Sequence, residues 1–154
     1  MLEAVGNIWA FAGEAVIVIT TSGSVAKNGR AILGRGVARQ ALIRYPDLPE
    51  TLGRLLVEKG NHVHLLEPGL VSFPVEETAW SLPDMRLIEC SARELRLLAD
   101  REGWLRVMVP QPGCGGGGLL WQDVRQVIAP HLDSRFTIIS CADQNGAKEQ
   151  PGRI

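Results

Sequence analysis

The sequence predicts an α/β protein in which an interior sheet is covered by helices. Residues 15–20 (AVIVIT) form a continuous run of apolar, mostly β-branched side chains, which is typical of a strand buried on both faces. Residues 106–121 follow the order short apolar run, glycine loop and amphipathic segment, which we interpret as strand, loop and helix. Helical spacing of apolar residues returns after residue 36 and again after residue 84, so helices are expected to flank the strands.

Composition limits the functions that this chain can have. With 154 residues, 45% of them hydrophobic, we expect one globular domain that buries roughly two thirds of its unfolded surface. A net charge of −1 gives no general attraction to nucleic acid or to an anionic membrane. No apolar stretch reaches the roughly 18 residues of a membrane span, and no basic segment of a signal peptide is present.

The three cysteines and three histidines lack CxxC or other metal-ligand spacing, so neither a disulfide framework nor a zinc site is expected. The simplest interpretation is a reduced, cytoplasmic protein without a metal or cofactor. We expect the domain to span residues 1–141 and a polar, disordered tail to span residues 142–154.

The remaining elements follow from periodicity and from helix stop signals. Strands are predicted over residues 2–8 at a sheet edge, over residues 62–66 and 70–73 as a hairpin, and over residues 136–140. Helices are predicted over residues 37–45, 49–60 and 120–132, and from a Ser81 cap to about Arg101. His62 and His64 are expected on one solvated strand face, and Cys90 is expected in the core or as a filler position in its helix.

A loop with five glycines in six positions, residues 113–118, leads into the predicted helix at residue 120. Glycine lets a ligand approach bare backbone, and the N-terminus of a helix favours phosphate or carboxylate. The alternative is a flexible turn without a ligand. Four consecutive glycines are costly in conformational entropy, which favours an anion site.

A second glycine motif, Gly34-Arg35-Gly36, opens the helix predicted at residue 37. Taken alone, it is equally well explained by a tight turn with close helix packing. Ligands of open α/β sheets bind beyond the carboxyl ends of the strands. Two glycine loops at one such edge would suit a diphosphate better than a single phosphate.

Several segments together resemble the macro domain superfamily. These are Gly6-Asn7-Ile8, AVIVITTSG, NGRAILGRGVARQALIRYP, SFP at residues 72–74, and PQPGCGGGGLLW. Their order and spacing match that family over residues 3–140 and are most similar to the branch of ADP-ribose-1″-phosphate phosphatases and terminal ADP-ribose glycohydrolases. The resemblance implies a three-layer α/β/α sandwich with a mixed central sheet. It also implies a cleft for ADP-ribose.

The resemblance also implies roles for individual residues. Asn7 stands where many macro domains have an aspartate that binds the adenine amino group, and Ile8 would add a backbone contact. Two loops would hold the diphosphate, and Ser22 and Asn28 would approach the distal ribose. The implied ligand-binding residues are Asn7, Ile8, Ser22, Asn28, Leu33, Gly34, Arg35, Gly36, Val37, Ala38, Gly113, Cys114, Gly115, Gly116, Gly117, Gly118 and Leu119.

The chain departs from the family at its known catalytic positions. Leu42 and Gly117 stand where some glycohydrolases have a lysine nucleophile and an aspartate. Residues 19–21 (ITT) lack the histidine of the phosphatase branch, and Glu76 replaces a lysine often found after the SFP motif. A known set of catalytic side chains is therefore absent.

The remaining catalytic candidates are Ser22, Asn28 and Arg35, with water activated by the substrate's own diphosphate. Three functions stay open. In the first, the chain binds ADP-ribose or an ADP-ribosyl derivative and hydrolyses it, removing ADP-ribose from a macromolecule or the 1″-phosphate. In the second, the chain is a non-catalytic reader of an ADP-ribosylated macromolecule. A remote alternative is another α/β domain that binds a nucleotide diphosphate, although GxGxxG with a following ribose-binding acid is absent.

Overall fold

A six-stranded mixed sheet forms the centre of the structure, a computed structural model that describes residues 1–141. The predicted tail at residues 142–154 lies outside the described residues. The strand order is β1-β6-β5-β2-β4-β3, and only β3 runs antiparallel to its neighbour. The strands are β1 (Leu2–Val5), β2 (Val16–Ser22), β3 (His64–Glu67), β4 (Leu70–Glu76), β5 (Val107–Pro110) and β6 (Phe136–Ser140).

Helices cover both faces of this sheet. They are α1 (Val37–Arg44), α2 (Leu48–Lys59), α3 (Met85–Glu102) and α4 (Trp121–Ile128), with 3₁₀ helices at Ile8–Phe11 and Ala129–His131. Val16 and Val18 belong to the core beneath α3 and α4, whereas Ile17 and Ile19 belong to the core beneath α1 and α2. This two-sided burial explains the continuous apolar run of β2 and confirms the predicted three-layer α/β/α fold.

The start of α3 differs from the prediction. The N-cap is Asp84, whose Oδ1 accepts a hydrogen bond from the Arg86 backbone N–H at 2.8 Å. The Ser81 hydroxyl instead lies 2.6 Å from the hydroxyl of Thr78. Ser81 is therefore not the cap, and residues 77–83 form a loop above the carboxyl edge of the sheet.

The expectation about the two histidines is also corrected. His64 is buried, and its Nε2 lies 2.9 Å from the Gly60 carbonyl oxygen. His62 precedes β3 and contacts the Glu94 carboxylate at 2.9 Å, so the two histidines do not share a solvated strand face. Cys90 is exposed on α3, which fits the filler position expected in its helix and not the core.

None of the helices in residues 1–141 combines the length and the apolar character needed to cross a bilayer.

Candidate functional site

A cleft of about 930 Å³ lies at the edge of the sheet where β6, β5, β2 and β4 end. These four strands are parallel neighbours, so their carboxyl ends meet at this edge. The cleft volume is within the range of small-molecule sites, and its position is the usual one for ligands of α/β sheets. Four structural units line it: two glycine loops, the 3₁₀ helix after β1, and the loop after β4.

The first glycine loop, residues 33–38, lies on one wall of the cleft. Gly36 is the N-cap residue of α1 and has φ +67°, a conformation that favours glycine. No side chain caps this helix, so its first N–H groups are available to an anion. Arg35 is exposed and is the only cationic side chain that lines the cleft in residues 1–141.

The second glycine loop, residues 113–119, lies opposite. Its ends are joined by a hydrogen bond from the Leu119 N–H to the Gly113 carbonyl at 3.0 Å. A Cβ atom at Gly117 would lie 2.5 Å from Pro83 Cγ and 2.6 Å from the Gly113 oxygen, whereas one at Gly116 would meet nothing within 4 Å. Glycine is therefore needed for packing at 117, and at 116 it leaves open space in the cleft.

The 3₁₀ helix after β1 forms one end of the cleft. Asn7 is its N-cap, and the Asn7 Oδ1 accepts a hydrogen bond from the Trp9 N–H at 3.0 Å. The Trp9 indole N–H donates to the Gln40 Oε1 at 2.8 Å, and the Arg44 guanidinium lies 4.6 Å from the Trp9 ring centre. Trp9 thus fixes this end of the cleft to helix α1.

The loop after β4, residues 77–83, forms the other end. The Ser24 hydroxyl accepts a hydrogen bond from the Ala79 N–H at 2.8 Å. The Asp84 N–H donates to the Val75 carbonyl at 2.9 Å. Trp80 and Leu82 line the cleft and are 82% and 84% exposed. They form an apolar rim, and Glu76 lies at its base at the end of β4.

The structure brings most of the predicted ligand-binding residues together at this cleft. Those that line it are Asn7, Ile8, Ser22, Gly34, Arg35, Gly36, Val37, Gly113, Gly115, Gly116 and Gly117. Those that do not line it are Asn28, Leu33, Ala38, Cys114, Gly118 and Leu119. Of the three catalytic candidates, Ser22 and Arg35 are in the cleft and Asn28 is not.

The residues outside the cleft have local structural roles. The Asn28 Oδ1 accepts a hydrogen bond from the Arg30 N–H at 3.1 Å in an exposed turn. Leu33 packs against the core beneath α1 and α2. Ala38 is a fully buried residue of α1. Cys114 is buried in the core beneath α3, and its thiol donates to the Pro112 carbonyl. Side-chain contacts with a ligand are therefore not expected from these residues.

Sequence reasoning did not single out several residues that line the cleft. They include Trp9, Gln40, Thr20, Thr21, Trp80, Leu82 and Gln111. Gln40 and Trp9 are brought together from 31 residues apart, and Trp80 lies just before the residue that was predicted to cap a helix. No local signal in the sequence marks either arrangement.

Comparison with solved structures identifies the fold, although no protein-family model and no curated protein matches the sequence. The macrodomain of Mycobacterium tuberculosis DarG is similar with a TM-score of 0.73 and 20% identity, covering 90% of this chain and 96% of that one. The macrodomain of Thermus aquaticus DarG gives a TM-score of 0.67 and 24% identity over 90% and 97% of the two chains. Together with the cleft, these neighbours confirm the predicted macro domain fold.

A third neighbour is a longer protein. Thermosipho africanus DarTG, solved in complex with ADP-ribose, has a TM-score of 0.71 and 18% identity. The match covers 90% of this chain and 42% of that chain. The resemblance is therefore to one part of DarTG.

Proposed function

We propose that the cleft binds ADP-ribose, either free or attached to a macromolecule. The observation that carries this proposal is the convergence of the two glycine loops on one cleft between helix α1 and strand β5. Gly34 and Gly36 of the first loop and Gly116 of the second have open space beside them. Arg35 adds a cationic side chain without an ion-pair partner in residues 1–141. Backbone N–H groups arranged in this way suit the two negative charges of a diphosphate. The ADP-ribose complex of the neighbour DarTG supports the same ligand.

The order of the strands gives a direction to the bound ligand. The 3₁₀ helix near β6 would hold adenine, since Asn7 and Ile8 line that end. The diphosphate would then lie between the glycine loops. From β6 to β4 are three strand spacings, about 14 Å, so the distal ribose would lie near the ends of β2 and β4.

The contact between Asn7 and the base is constrained by the cap of the 3₁₀ helix. One lone pair of the Asn7 Oδ1 already accepts from the Trp9 N–H, and an amide oxygen has two. The second lone pair can accept from the adenine amino group, while Nδ2 remains a donor. Adenine is therefore accommodated, but the site is less selective than one with aspartate.

Hydrolysis of the bound derivative is the second candidate function. It is favoured by the side chains at the distal end of the cleft, where Glu76 and the hydroxyls of Thr21 and Ser22 are found. A non-catalytic reader is the alternative that the same cleft would serve if none of these groups acts on the substrate. We also propose a reduced, cytoplasmic environment, in which the exposed thiols of Cys90 and Cys141 would persist.

The test is calorimetric titration with ADP-ribose, with AMP and ribose 5-phosphate as controls. Each control contains one half of the ligand and a phosphate. We expect a micromolar Kd for ADP-ribose and affinity at least tenfold weaker for either fragment, because only the whole ligand spans both loops. Equal affinity for AMP would show that the second half of the cleft does not take part. No binding of any of the three would contradict the proposal.

A further inference from the structure

We infer that Glu76 is the acid–base group of a glycosidic hydrolysis at C1″ of a bound ADP-ribosyl group. This inference rests on the proposed ADP-ribose site and assigns chemistry to its distal end. Among residues 1–141, Glu76 is the only carboxylate that lines the cleft. It lies in the part of the cleft that the strand order assigns to the distal ribose.

The backbone of Glu76 is firmly held. Glu76 pairs with Ser22 after a register shift between Thr21 and Ser22. Its carbonyl oxygen accepts a hydrogen bond from the Asn61 Nδ2 at 3.1 Å. A Cβ atom at Gly23 would lie 2.6 Å from the Glu77 carbonyl oxygen, so the ends of β2 and β4 approach closely. These contacts fix the point from which the carboxylate enters the cleft, as an acid–base group requires.

The carboxylate of Glu76 is not neutralised by any of the described residues. In residues 1–141 it has no ion pair and no hydrogen bond, whereas Asp133 and Asp100 both contact Arg135. Partial burial raises the pKa of Glu76 above its ordinary value. Within residues 1–141, the other ionisable groups lining the cleft are Arg35 and the Cys141 thiol. An unpaired carboxylate with a raised pKa in a cleft is a typical acid–base group.

A second group at the same end of the cleft also lacks a partner. Thr21 is only 5% exposed, and its Oγ1 is buried without a hydrogen-bond partner in the described part of the chain. Buried hydroxyls in folded proteins are nearly always paired, and Thr21 lines the cleft. Because this oxygen is closed to solvent, a bound ligand would reach it only through a buried water molecule.

The reaction is a displacement by water. As the water oxygen bonds to C1″, the Glu76 carboxylate accepts one proton from that water. The bond from C1″ to the leaving atom breaks, and its electron pair stays with the leaving atom. The Glu76 carboxyl then donates the proton to that atom. The products are ADP-ribose with a 1″-hydroxyl and the protonated leaving group, and the carboxylate is regenerated.

The negative charge of the Glu76 carboxylate separates the candidate substrates. A 1″-phosphate would bring a second negative group to the end of the cleft that holds Glu76, and like charges repel. A linkage to a neutral acceptor meets no such repulsion, and the apolar rim of Trp80 and Leu82 lies beside it. The structure therefore favours cleavage of ADP-ribose from a macromolecule over removal of a 1″-phosphate.

The test compares Glu76→Gln with wild type and with Glu77→Gln. Glu77 is the adjacent, exposed acid and does not line the cleft, so its variant is the matched control. The substrates are a glutamate-linked ADP-ribosyl peptide, an arginine-linked ADP-ribosyl peptide and an ADP-ribosylated DNA oligonucleotide. We expect wild type and Glu77→Gln to release ADP-ribose from at least one. Glu76→Gln should lower kcat at least 100-fold and leave the Kd for ADP-ribose within threefold.

Three results would overturn the inference. They are wild-type turnover of none of the substrates despite ADP-ribose binding, unchanged kcat in Glu76→Gln, and equal losses of binding and turnover in that variant. The first of these would leave the proposed binding function intact, whereas absence of ADP-ribose binding would remove both.

A stability measurement independently checks whether the Glu76 carboxylate is desolvated. A carboxyl whose pKa is raised by folding destabilises the native state as pH rises through that pKa. Relative to wild type, Glu76→Gln should therefore raise the urea midpoint at pH 8 and not at pH 3.5. Equal shifts at both pH values would show that the carboxylate is not desolvated.

Discussion

Replacing Gly116 by valine tests whether the second glycine loop contacts the diphosphate. A Cβ atom at this position meets nothing within 4 Å, and the residue lines the cleft. The valine side chain would therefore occupy ligand space and leave the fold unchanged. A ligand displaced from one backbone N–H loses a hydrogen bond to a charged group, worth roughly 1.5–3 kcal/mol. At 1.4 kcal/mol per tenfold, the Kd for ADP-ribose should rise about 10- to 150-fold.

Gly34→Val provides the same test on the first loop, because a Cβ atom there also meets open space. Ser134→Val is the matched control. Ser134 is exposed and precedes β6, at the opposite edge of the sheet from the cleft. Calorimetry with ADP-ribose and thermal unfolding should be measured on all three variants. We expect similar unfolding temperatures, and weaker binding only in the two cleft variants.

Gly117→Val should behave differently. A Cβ atom at 117 would lie against Pro83 and the Gly113 oxygen rather than in open space. This variant should lose stability as well as affinity, so it does not report on the ligand alone. If Gly116→Val and Gly34→Val both fold and bind ADP-ribose within twofold of wild type, the assignment of the loops to the diphosphate is refuted.

Three further predictions concern the ends of the cleft and the far edge of the sheet. Trp80→Ala should leave the unfolding temperature unchanged, because Trp80 is 82% exposed. Affinity for an ADP-ribosyl peptide should fall about 2- to 12-fold, since ring packing contributes roughly 0.5–1.5 kcal/mol. An unchanged Kd would exclude contact between Trp80 and the peptide. Asn7→Asp should increase the preference for ADP-ribose over inosine diphosphate ribose, since aspartate keeps the cap to Trp9 and removes the Nδ2 donor; a loss of ADP-ribose affinity would count against this role. The pKa of Asp133 is lowered from 3.8 to about 2, first by its hydrogen bonds from Arg135. The contribution of the Asp133 carboxylate to stability is complete above about pH 4 and is lost as pH falls from 4 to 2. Asp133→Asn should therefore reduce the unfolding free energy at pH 6 and have little effect at pH 2. An equal effect at both pH values would contradict this linkage.

The fold could be predicted from sequence because its main elements have strong local patterns. The residues of β2 alternate between the two cores, and this produces one continuous apolar run. Gly36 and Gly60 mark a helix start and a helix end. The two glycine loops were recognised for the same reason, since glycine at positive φ is a local requirement. Each of these features depends on residues within a few positions of one another.

The missed features depend on contacts between distant residues. Ser81 was predicted to cap α3, but Asp84 is the cap, and its backbone N–H is held by the Val75 carbonyl of β4. His64 is buried because the hairpin brings it near Gly60 and Ser72. Glu76 appeared only as the loss of a family lysine, and its place in the cleft depends on its pairing with Ser22. Periodicity carries no information on such pairings.

The most direct measurement is an NMR titration of ¹⁵N-labelled protein with ADP-ribose. The proposed binding mode predicts the largest amide shifts at Gly34–Val37 and Gly113–Gly117, with smaller shifts at Asn7 and Glu76. Shifts confined to the smaller cavity near Tyr45 and Trp104, or no shifts at millimolar ligand, would contradict it.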